Sequence, residues 1–259
     1  MSKTALITGA SGGIGYQFAM IHAEHGDNLV LVARSKDKLD EIKCELETRY
    51  KILVHTIGMD LALPEAARYV YDELKNNNIP VDYLINNAGL GDVKHFADSD
   101  WSKQEKMINL NITALTHLTW LFLPDMIKRG SGRILNVAST ASFQPGPTMS
   151  VYFASKAFVL SFSEAIGSEV AEKGITVTAL CPGSTESGFH LVAMDGQEER
   201  RKRILPSARK IAEFGYNAMM KGKSVAIPGL KNKFLATSVR FVPRSLVVNL
   251  ARRIEEKKH

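Results

Sequence analysis

The chain has 259 residues, of which 45% are hydrophobic and 23% charged, and 33 Lys and Arg against 27 Asp and Glu give a formal net charge of +6. This length allows one or two domains with a full hydrophobic core, and the composition is typical of a soluble globular protein. A disulfide-stapled mini-protein, a collagen-like chain and a disordered tail are excluded.

Short apolar runs alternate with amphipathic stretches over the first 180 residues. Six of these runs are apolar almost throughout and predict strands: Thr4–Thr8, Leu29–Ala33, Val54–Met59, Tyr83–Asn86, Arg133–Ala138 and Thr176–Cys181. The stretches between them predict helices at 14–26, 36–50, 64–77, 101–129 and 151–173. Strands without polar alternation are typical of a parallel sheet that helices cover on both faces. The repeated strand–helix–strand order therefore predicts an α/β protein with a doubly wound, mostly parallel sheet.

Beyond Cys181 the pattern becomes less regular. Residues 184–204 form a long connection with few helix or strand signals, which is typical of a functional loop. A helix is predicted at 207–221 and a short strand at Ser224–Ile227, which brings the sheet to about seven strands. Because no linker-like segment or internal repeat interrupts the chain, we expect a single domain over residues 1–259.

The C-terminal part combines an amphipathic helix with an excess of positive charge. Three apolar residues recur every four positions and predict a helix at about 243–257: Leu246, Leu250 and Ile254. Residues 1–199 hold 17 basic and 24 acidic residues, whereas residues 200–259 hold 16 and 3, a net charge of +13. Such a segment is typical of contact with nucleic acid, an anionic membrane or an acidic partner, or of a solvated helix face.

The first predicted strand ends in a glycine-rich turn that leads directly into a helix. The turn, Thr8–Gly15, reads Thr-Gly-Ala-Ser-Gly-Gly-Ile-Gly. Glycine is needed where the backbone takes a positive φ or approaches a phosphate, and a helix N-terminus offers unpaired N–H groups to a pyrophosphate. The turn therefore predicts a dinucleotide site, although a flexible turn would look similar. The expected contacts are Gly9, Ser11, Gly13, Ile14 and Gly15.

The residues after the second strand indicate which dinucleotide is bound. An NAD site would place Asp or Glu there to bind the ribose 2′-OH. Here Ala33 leaves room, and the planar Arg34 guanidinium suits a 2′-phosphate, with Ser35 and Lys38 in support. We therefore predict NADP(H) rather than NAD(H); the alternative for Arg34 is a solvated surface charge.

Further cofactor contacts are expected after the third and fourth strands. Asp60 and Leu61 follow the third strand, where Asp60 is expected either at the adenine edge or as the N-cap of the next helix. Asn87, Ala88 and Gly89 follow the fourth strand, as small or amide-bearing residues against the cofactor or as an ordinary turn.

The stretch from residue 133 to residue 158 carries the candidate chemistry. Tyr152 and Lys156 are four residues apart on a predicted helix and therefore share a face. A tyrosine ordinarily titrates near pH ~10, and a nearby ammonium favours the phenolate. Ser139, at the carboxyl end of a strand, is placed to donate a hydrogen bond to a reacting oxygen. Taken singly, Tyr152 and Lys156 would also fit an ordinary helix surface, and Ser139 would also fit an ordinary helix cap.

Together these motifs resemble the compact branch of the short-chain dehydrogenase/reductase family, over nearly the whole chain. The resemblance rests on the turn Thr8–Gly15 and on Asn86–Gly89, Asn111, Ser139, Tyr152, Lys156 and Pro182-Gly183. It implies a Rossmann-type sheet with helices on both faces and a nicotinamide cofactor. It also implies a homodimer or homotetramer built through helices 101–129 and 151–173.

The resemblance further implies a mechanism of carbonyl reduction. Tyr152 would be the general acid, and the base in the reverse direction. Lys156 would lower the pKa of Tyr152 and hold the nicotinamide ribose, while Ser139 would orient the carbonyl. Asn111, rather than Asn109, would hold a water that links Lys156 to solvent. The residues that resemble the nicotinamide-binding segment are Pro182, Gly183, Thr185 and Ser187.

Three functions stay open at this point. The first is NADPH-dependent reduction of a small or medium apolar ketone or aldehyde. The second is a 3-oxoacyl reductase whose basic C-terminal region receives an acidic acyl carrier or CoA, and the third is a non-catalytic NADP-binding redox sensor. The expected pocket residues are Phe143, Gln144, Met149, Phe189, His190, Leu191, Val192 and Met194. The sequence does not identify the substrate.

The compartment and the remaining partners are inferred from what the sequence lacks. No stretch approaches the about 20 apolar residues of a membrane span, and residues 1–4 run directly into a strand, which leaves no room for a signal peptide. Cys44 and Cys181 have no metal-binding spacing, so we expect reduced thiols, no metal and a cytoplasmic protein. Nucleic acid is not expected as a partner, whereas peripheral membrane contact stays open.

Overall fold

Seven strands form one sheet in the computed structural model, which describes residues 2–186 and 205–256. The strands are β1 (Thr4–Thr8), β2 (Asn28–Ala33), β3 (Val54–Gly58), β4 (Tyr83–Asn86), β5 (Gly132–Val137), β6 (Ile175–Leu180) and β7 (Val225–Ala226). Their order is β3-β2-β1-β4-β5-β6-β7, and every neighbouring pair is parallel. The predicted Rossmann-type parallel sheet is confirmed, with strand ends shifted by at most one residue.

Helices cover both faces of the sheet. They are α1 (Gly13–Glu24), α2 (Lys36–Tyr50), α3 (Ala66–Asn76), α4 (Trp101–Ile108), α5 (Leu115–Arg129), α6 (Ser150–Val170), α7 (Ala208–Met220), α8 (Leu230–Ser238) and α9 (Arg244–Glu256). One face packs against α1, α2 and α7, and the other against α3, α5 and α6. In β1, Ile7 points into the first cluster and Leu6 into the second, and both side chains are fully buried. This two-sided burial explains why the strand sequences are apolar almost throughout.

Three differences from the predicted helices have local causes. A π-helical turn, Asn109–Ala114, lies inside the predicted helix 101–129 and separates α4 from α5. The predicted helix 151–173 leaves α-helical geometry after Val170, and the chain then turns at Gly174, whose φ is +74°. The helix α8 was not predicted, because it is only nine residues long and its apolar residues face outward.

Two sequence predictions about organisation stay predictions. Most of the loop 184–204 lies outside the described residues, and the assignment of residues 1–259 to one domain rests on the sequence. Within residues 2–186 and 205–256, no helix combines the length and the apolarity needed to cross a membrane.

Candidate active site

The turns that follow β1 and β4 are joined by hydrogen bonds at the carboxyl edge of the sheet. Thr8 Oγ1 accepts hydrogen bonds from the backbone N–H groups of Asn87 and Ala88, each at 3.0 Å. Asn87 Nδ2 donates to Thr8 O at 2.9 Å and to Gly9 O at 3.3 Å. The Asn87 amide, expected to contact a cofactor, therefore has its donor group engaged in holding the glycine turn in place.

The glycine turn leaves no space for a side chain at Gly9 or Gly15. Gly9 and Gly13 have φ values of +65° and +52°, which favour glycine. A β-carbon at Gly15 would lie 2.2 Å from Gly9 O and 2.6 Å from Asn87 Nδ2. Gly12 precedes α1 and has no side chain to cap it, so the first N–H groups of this helix remain available to an anion. The turn thus has the shape and polarity that a pyrophosphate requires.

The other residues of the turn divide between surface and core. Ser11 is partly exposed, whereas Ile14 is partly buried and packs against the core between the sheet and α1.

Three polar side chains beyond the carboxyl end of β2 are exposed: Arg34, Ser35 and Lys38. Asp60 lies near Arg34 and binds Lys106, with 2.8 Å between Asp60 Oδ2 and Lys106 Nζ. Burial raises the pKa of Asp60, but hydrogen bonds from Lys106 and the Ala62 N–H and the positive charges of Lys106 and Arg34 outweigh it. The pKa of Asp60 therefore lies below its ordinary value, and the carboxylate is ionised at neutral pH.

The structure bears on two expectations for this region. The residue at the N-cap of α3 is Glu65, so the N-cap interpretation of Asp60 is wrong. Leu61 packs with Ala66 and Val70 in the core, because the chain turns inward after β3. Its contact with a cofactor stays a prediction.

Ser139 and Tyr152 meet at the carboxyl end of β5. Ser139 accepts a hydrogen bond at Oγ from Ala141 N at 3.1 Å, and its hydroxyl lies 3.5 Å from Pro182 O. Tyr152 lies in the first turn of α6, partly buried, and shares a side-chain hydrogen bond with Ser139. The cap suggested for Ser139 is thus present, and the same hydroxyl contacts the tyrosine.

Lys156 lies one turn further along α6 and is buried. Its Nζ donates to Val137 O at 2.8 Å and lies 5.9 Å from the centre of the Tyr152 ring. A β-carbon at Gly89 would lie 3.4 Å from both Lys156 Nζ and Asn111 Oδ1. Gly89 thus marks the point where the turn after β4 approaches the lysine and the asparagine.

Asn111 occupies the π-helical turn and is buried, whereas Asn109 is only partly buried. Its Nδ2 donates to Leu90 O at 2.9 Å and to Ser155 Oγ at 3.0 Å, and its Oδ1 accepts from Leu90 N at 2.9 Å. Turns of this kind often occur at functional sites. The structure therefore places Asn111, and not Asn109, beside the candidate catalytic group.

Residues 3–199 match the family described as short chain dehydrogenase. The chain belongs to the short-chain dehydrogenase/reductase family.

Curated relatives of this dehydrogenase/reductase include very-long-chain 3-oxoacyl-CoA reductases. The human protein is 35% identical over 188 residues, which cover 70% of this chain and 59% of the relative. The protein from Pyrenophora tritici-repentis is 39% identical over 177 residues, which cover 67% of this chain and 52% of the relative. The chain thus spans between half and three fifths of the length of these relatives.

Solved structures of similar proteins share the fold over most of the chain. A short-chain dehydrogenase from Sphingobium yanoikuyae in complex with NADPH has a TM-score of 0.83 and 31% identity, covering 94% of each chain. A bulky-bulky ketone specific alcohol dehydrogenase from Comamonas testosteroni has a TM-score of 0.79 and 31% identity, covering 88% of this chain and 86% of that one.

The electrostatics of the dehydrogenase site differ from expectation at Tyr152. Burial raises the pKa of Tyr152 to about 12, and the hydrogen bond with Ser139 lowers it only in part. Burial lowers the pKa of Lys156 to about 8. The predicted lowering of the tyrosine pKa by Lys156 is therefore wrong for this structure, because desolvation of the phenolate dominates. Tyr152 is protonated at neutral pH, which is the form a proton donor needs.

The segment after β6 lies next to this site. Pro182 O accepts a hydrogen bond from Thr140 N at 2.9 Å, which ties the segment to the turn after Ser139. Thr185 is buried, and its hydroxyl donates to Gly183 O at 3.0 Å. Ser187 and the pocket candidates Phe189, His190, Leu191, Val192 and Met194 lie outside the described residues. Phe143, Gln144 and Met149 are partly buried.

Several supporting polar residues were not singled out in the sequence: Asn136, Ser142, Ser155 and Ser163. Ser142 Oγ donates to Lys156 O at 2.7 Å, and Ser155 receives the hydrogen bond from Asn111. Asn86 donates to Asn136 at 2.9 Å, and Asn136 donates to Ser163 at 2.9 Å, all of them buried. The available signal was an asparagine inside an apolar strand, since a buried amide requires partners.

In the described part of the chain, no group of three or more His, Cys, Asp or Glu side chains is arranged to hold a metal ion. Cys44 is exposed, Cys181 is buried, and both are free thiols.

Proposed function

We propose that this chain catalyses NADPH-dependent reduction of a ketone to an alcohol, with the 3-oxo group of an acyl-CoA as the substrate class. The observation that carries the proposal is the group of Ser139, Tyr152 and Lys156 at the carboxyl end of β5, with the tyrosine protonated. The similarity to very-long-chain 3-oxoacyl-CoA reductases supports the acyl-CoA, and the basic C-terminal region offers charge to its phosphates.

The described residues fit a nicotinamide dinucleotide. A β-carbon at Gly15 would lie 2.2 Å from Gly9 O, and one at Gly9 would lie 2.9 Å from Asn87 Nδ2, so glycine at these positions lets the two turns pack closely. The uncapped start of α1 would bind the pyrophosphate, and exposed Arg34 would bind a 2′-phosphate. The similarity to a dehydrogenase in complex with NADPH supports NADP(H) over NAD(H).

Bound NADPH would supply the hydride to the carbonyl carbon. Ser139 Oγ would orient the carbonyl oxygen, and Tyr152 would transfer its phenolic proton to that oxygen as negative charge develops there. The proton lost by Tyr152 would be replaced from Lys156, whose pKa of about 8 makes its ammonium group a suitable donor near neutral pH. Asn111 would hold the water that restores the proton to Lys156.

Replacing Arg34 with Ala is expected to weaken NADPH binding about 10- to 100-fold, because a charge-assisted hydrogen bond to a 2′-phosphate is lost. The Kd for NADH, which lacks this phosphate, should stay within about twofold. Fluorescence titration of both cofactors measures the effect, and Lys43→Ala, which replaces a partly exposed lysine on α2, is the matched control. Equal affinity of the unaltered protein for NADPH and NADH would contradict the assignment.

The activity itself is tested by NADPH consumption with 3-oxoacyl-CoA thioesters of increasing chain length, bulky ketones and aldehydes. We expect consumption with the thioesters, with KM rising with salt if the basic region attracts the CoA phosphates. Consumption of NADPH with simple ketones but not with thioesters would support ketone reduction and would contradict an acyl-CoA as the substrate. Tight NADPH binding without turnover of any carbonyl would indicate a non-catalytic redox sensor instead.

Two further properties are proposed. A homodimer or homotetramer would use the exposed Trp101 and Trp120 on α4 and α5 and Phe158 on α6. A cytoplasmic location rests on the sequence alone, and the two free thiols agree with a reducing compartment.

A further inference from the structure

Exposed apolar side chains are concentrated on one part of the molecule, which we call the α8–α9 surface. It consists of α8, α9 and residues 239–243 between them. Of the seventeen large hydrophobic residues that are exposed in the described chain, eight lie here: Leu230, Phe234, Leu235, Phe241, Val242, Leu246, Val248 and Leu250. Exposed apolar groups scattered singly are normal, but a contiguous set indicates an interaction site.

On α8 the apolar residues form a stripe with lysines on both sides. Leu230 and Phe234 are one turn apart and therefore share a face, and their exposed fractions are 88% and 72%. Lys231 and Lys233 lie to either side of this stripe on the helix. Ala236, on another face, is the buried residue of α8.

On α9, two residues of the stripe that predicted the helix are exposed. Val247 and Ala251 are buried against the protein. Leu246 and Leu250, on the neighbouring face, have exposed fractions of 57% and 60%. An amphipathic helix ordinarily buries its apolar stripe, so α9 has half of its apolar face uncovered.

The residues around these side chains are mostly basic. Residues 221–253 contain eight Lys and Arg and no Asp or Glu, and all eight basic side chains are exposed. Glu255 and Glu256 follow at the end of α9. Lys231, Lys233, Arg240 and Arg244 lie within two positions of an exposed apolar residue in the sequence. The surface therefore combines exposed Leu and Phe with a rim of basic side chains, which is the composition of a segment that lies in a membrane interface.

We propose that the α8–α9 surface docks onto an anionic lipid bilayer. Its Leu and Phe side chains would enter the headgroup–acyl boundary, and its Lys and Arg side chains would bind the lipid phosphates. A second copy of the chain is the less favourable occupant, because a two-fold contact through this surface would oppose two basic rims.

Docking would place the bilayer beside the candidate active site. A β-carbon at Gly183, in the segment after β6, would lie 2.9 Å from Asn232 Nδ2 on α8. Asn232 is held in turn by its hydrogen bond to Pro228 O at 2.8 Å. The α8 helix therefore borders the segment that adjoins Ser139, although membrane docking itself does not depend on the proposed activity.

The test is co-sedimentation of the full chain with vesicles of phosphatidylcholine alone or mixed with phosphatidylglycerol. We expect binding to the mixed vesicles at low salt, and at least tenfold weaker binding to phosphatidylcholine alone. Two triple variants should each lose at least tenfold in partition coefficient. The apolar variant carries Phe234→Ser, Phe241→Ser and Leu246→Ser. The basic variant carries Lys231→Gln, Lys233→Gln and Arg240→Gln. The control is Leu53→Ser with Leu63→Ser, exposed residues that flank β3 at the opposite edge of the sheet.

A second measurement does not require loss of a side chain. Brominated lipids in mixed vesicles should quench the fluorescence of a tryptophan introduced by Phe241→Trp. They should not quench the fluorescence of a tryptophan introduced by Leu53→Trp. The proposal is overturned if the unaltered chain does not bind mixed vesicles, or if both surface variants bind like the control. It is also overturned if these variants only dissociate an oligomer in light scattering and leave vesicle binding unchanged.

Discussion

Replacing Tyr152 with Phe is expected to lower kcat for ketone reduction by about 10³- to 10⁴-fold, because the variant lacks the phenolic proton that would pass to the carbonyl oxygen. The ring and its packing are retained, and the glycine turn and Arg34 are untouched. The Kd for NADPH should therefore stay within about twofold. Single-turnover NADPH oxidation measures the loss of rate, and fluorescence titration measures the binding.

The matched control for this loss is Tyr69→Phe, which removes the hydroxyl of an exposed tyrosine on α3 and should leave kcat unchanged. A Tyr152→Phe variant that retains more than about a tenth of the activity would show that another group supplies the proton. Loss of NADPH binding together with activity would instead assign Tyr152 to the cofactor site.

Replacing Lys156 with Met is expected to act in opposite directions on activity and stability. The pKa of Lys156 falls from 10.5 to about 8 through burial. The folded protein therefore binds fewer protons than the unfolded chain between these values, so this group makes stability rise with pH across that window. Below pH 8, burial of the charged Lys156 lowers the free energy of unfolding by about 3 kcal/mol, since each pKa unit corresponds to about 1.36 kcal/mol. Met removes this cost, and about 1 to 2 kcal/mol is lost with the hydrogen bond to Val137 O.

Lys156→Met should thus raise the free energy of unfolding by about 1 to 2 kcal/mol at pH ~7, with the gain disappearing near pH ~10. Its kcat should fall at least about 100-fold, because the proton source for Tyr152 is lost. Urea denaturation at both pH values and NADPH oxidation measure the two effects, and Lys43→Met on α2 controls for a general effect of removing a lysine. A variant less stable than the unaltered protein at pH ~7 would contradict the assigned cost of burial.

The sheet was predictable because its physical constraints are local. Strands covered on both faces must be apolar throughout. The turn after β1 needs glycine where a β-carbon would collide with neighbouring backbone, as at Gly15. The candidate site was predictable for a similar reason, because Tyr152 and Lys156 are neighbours on one helix. Parallel strands then bring Ser139 to the same edge without further information.

Other features depend on tertiary contacts, which the spacing of apolar residues along the sequence does not predict. Leu61 turns into the core and Asp60 pairs with Lys106, which lies 46 positions away in the chain. The raised pKa of Tyr152 follows from burial, whereas helical spacing to Lys156 suggested the opposite direction. On α9, the repeat of Leu246 and Leu250 predicted the helix correctly, but it did not reveal that this stripe faces outward.

The candidate catalytic residues and the proposed docking surface occupy different parts of the chain. All seven strands and the candidate catalytic residues end by Ala226, and the α8–α9 surface is built only from the chain that follows. This surface adjoins the candidate site through Asn232 beside Gly183 and through contacts of α8 with Thr140–Phe143. Exchanging α9 alone between relatives is therefore expected to change the proposed docking to lipid and to leave the proposed ketone reduction in place.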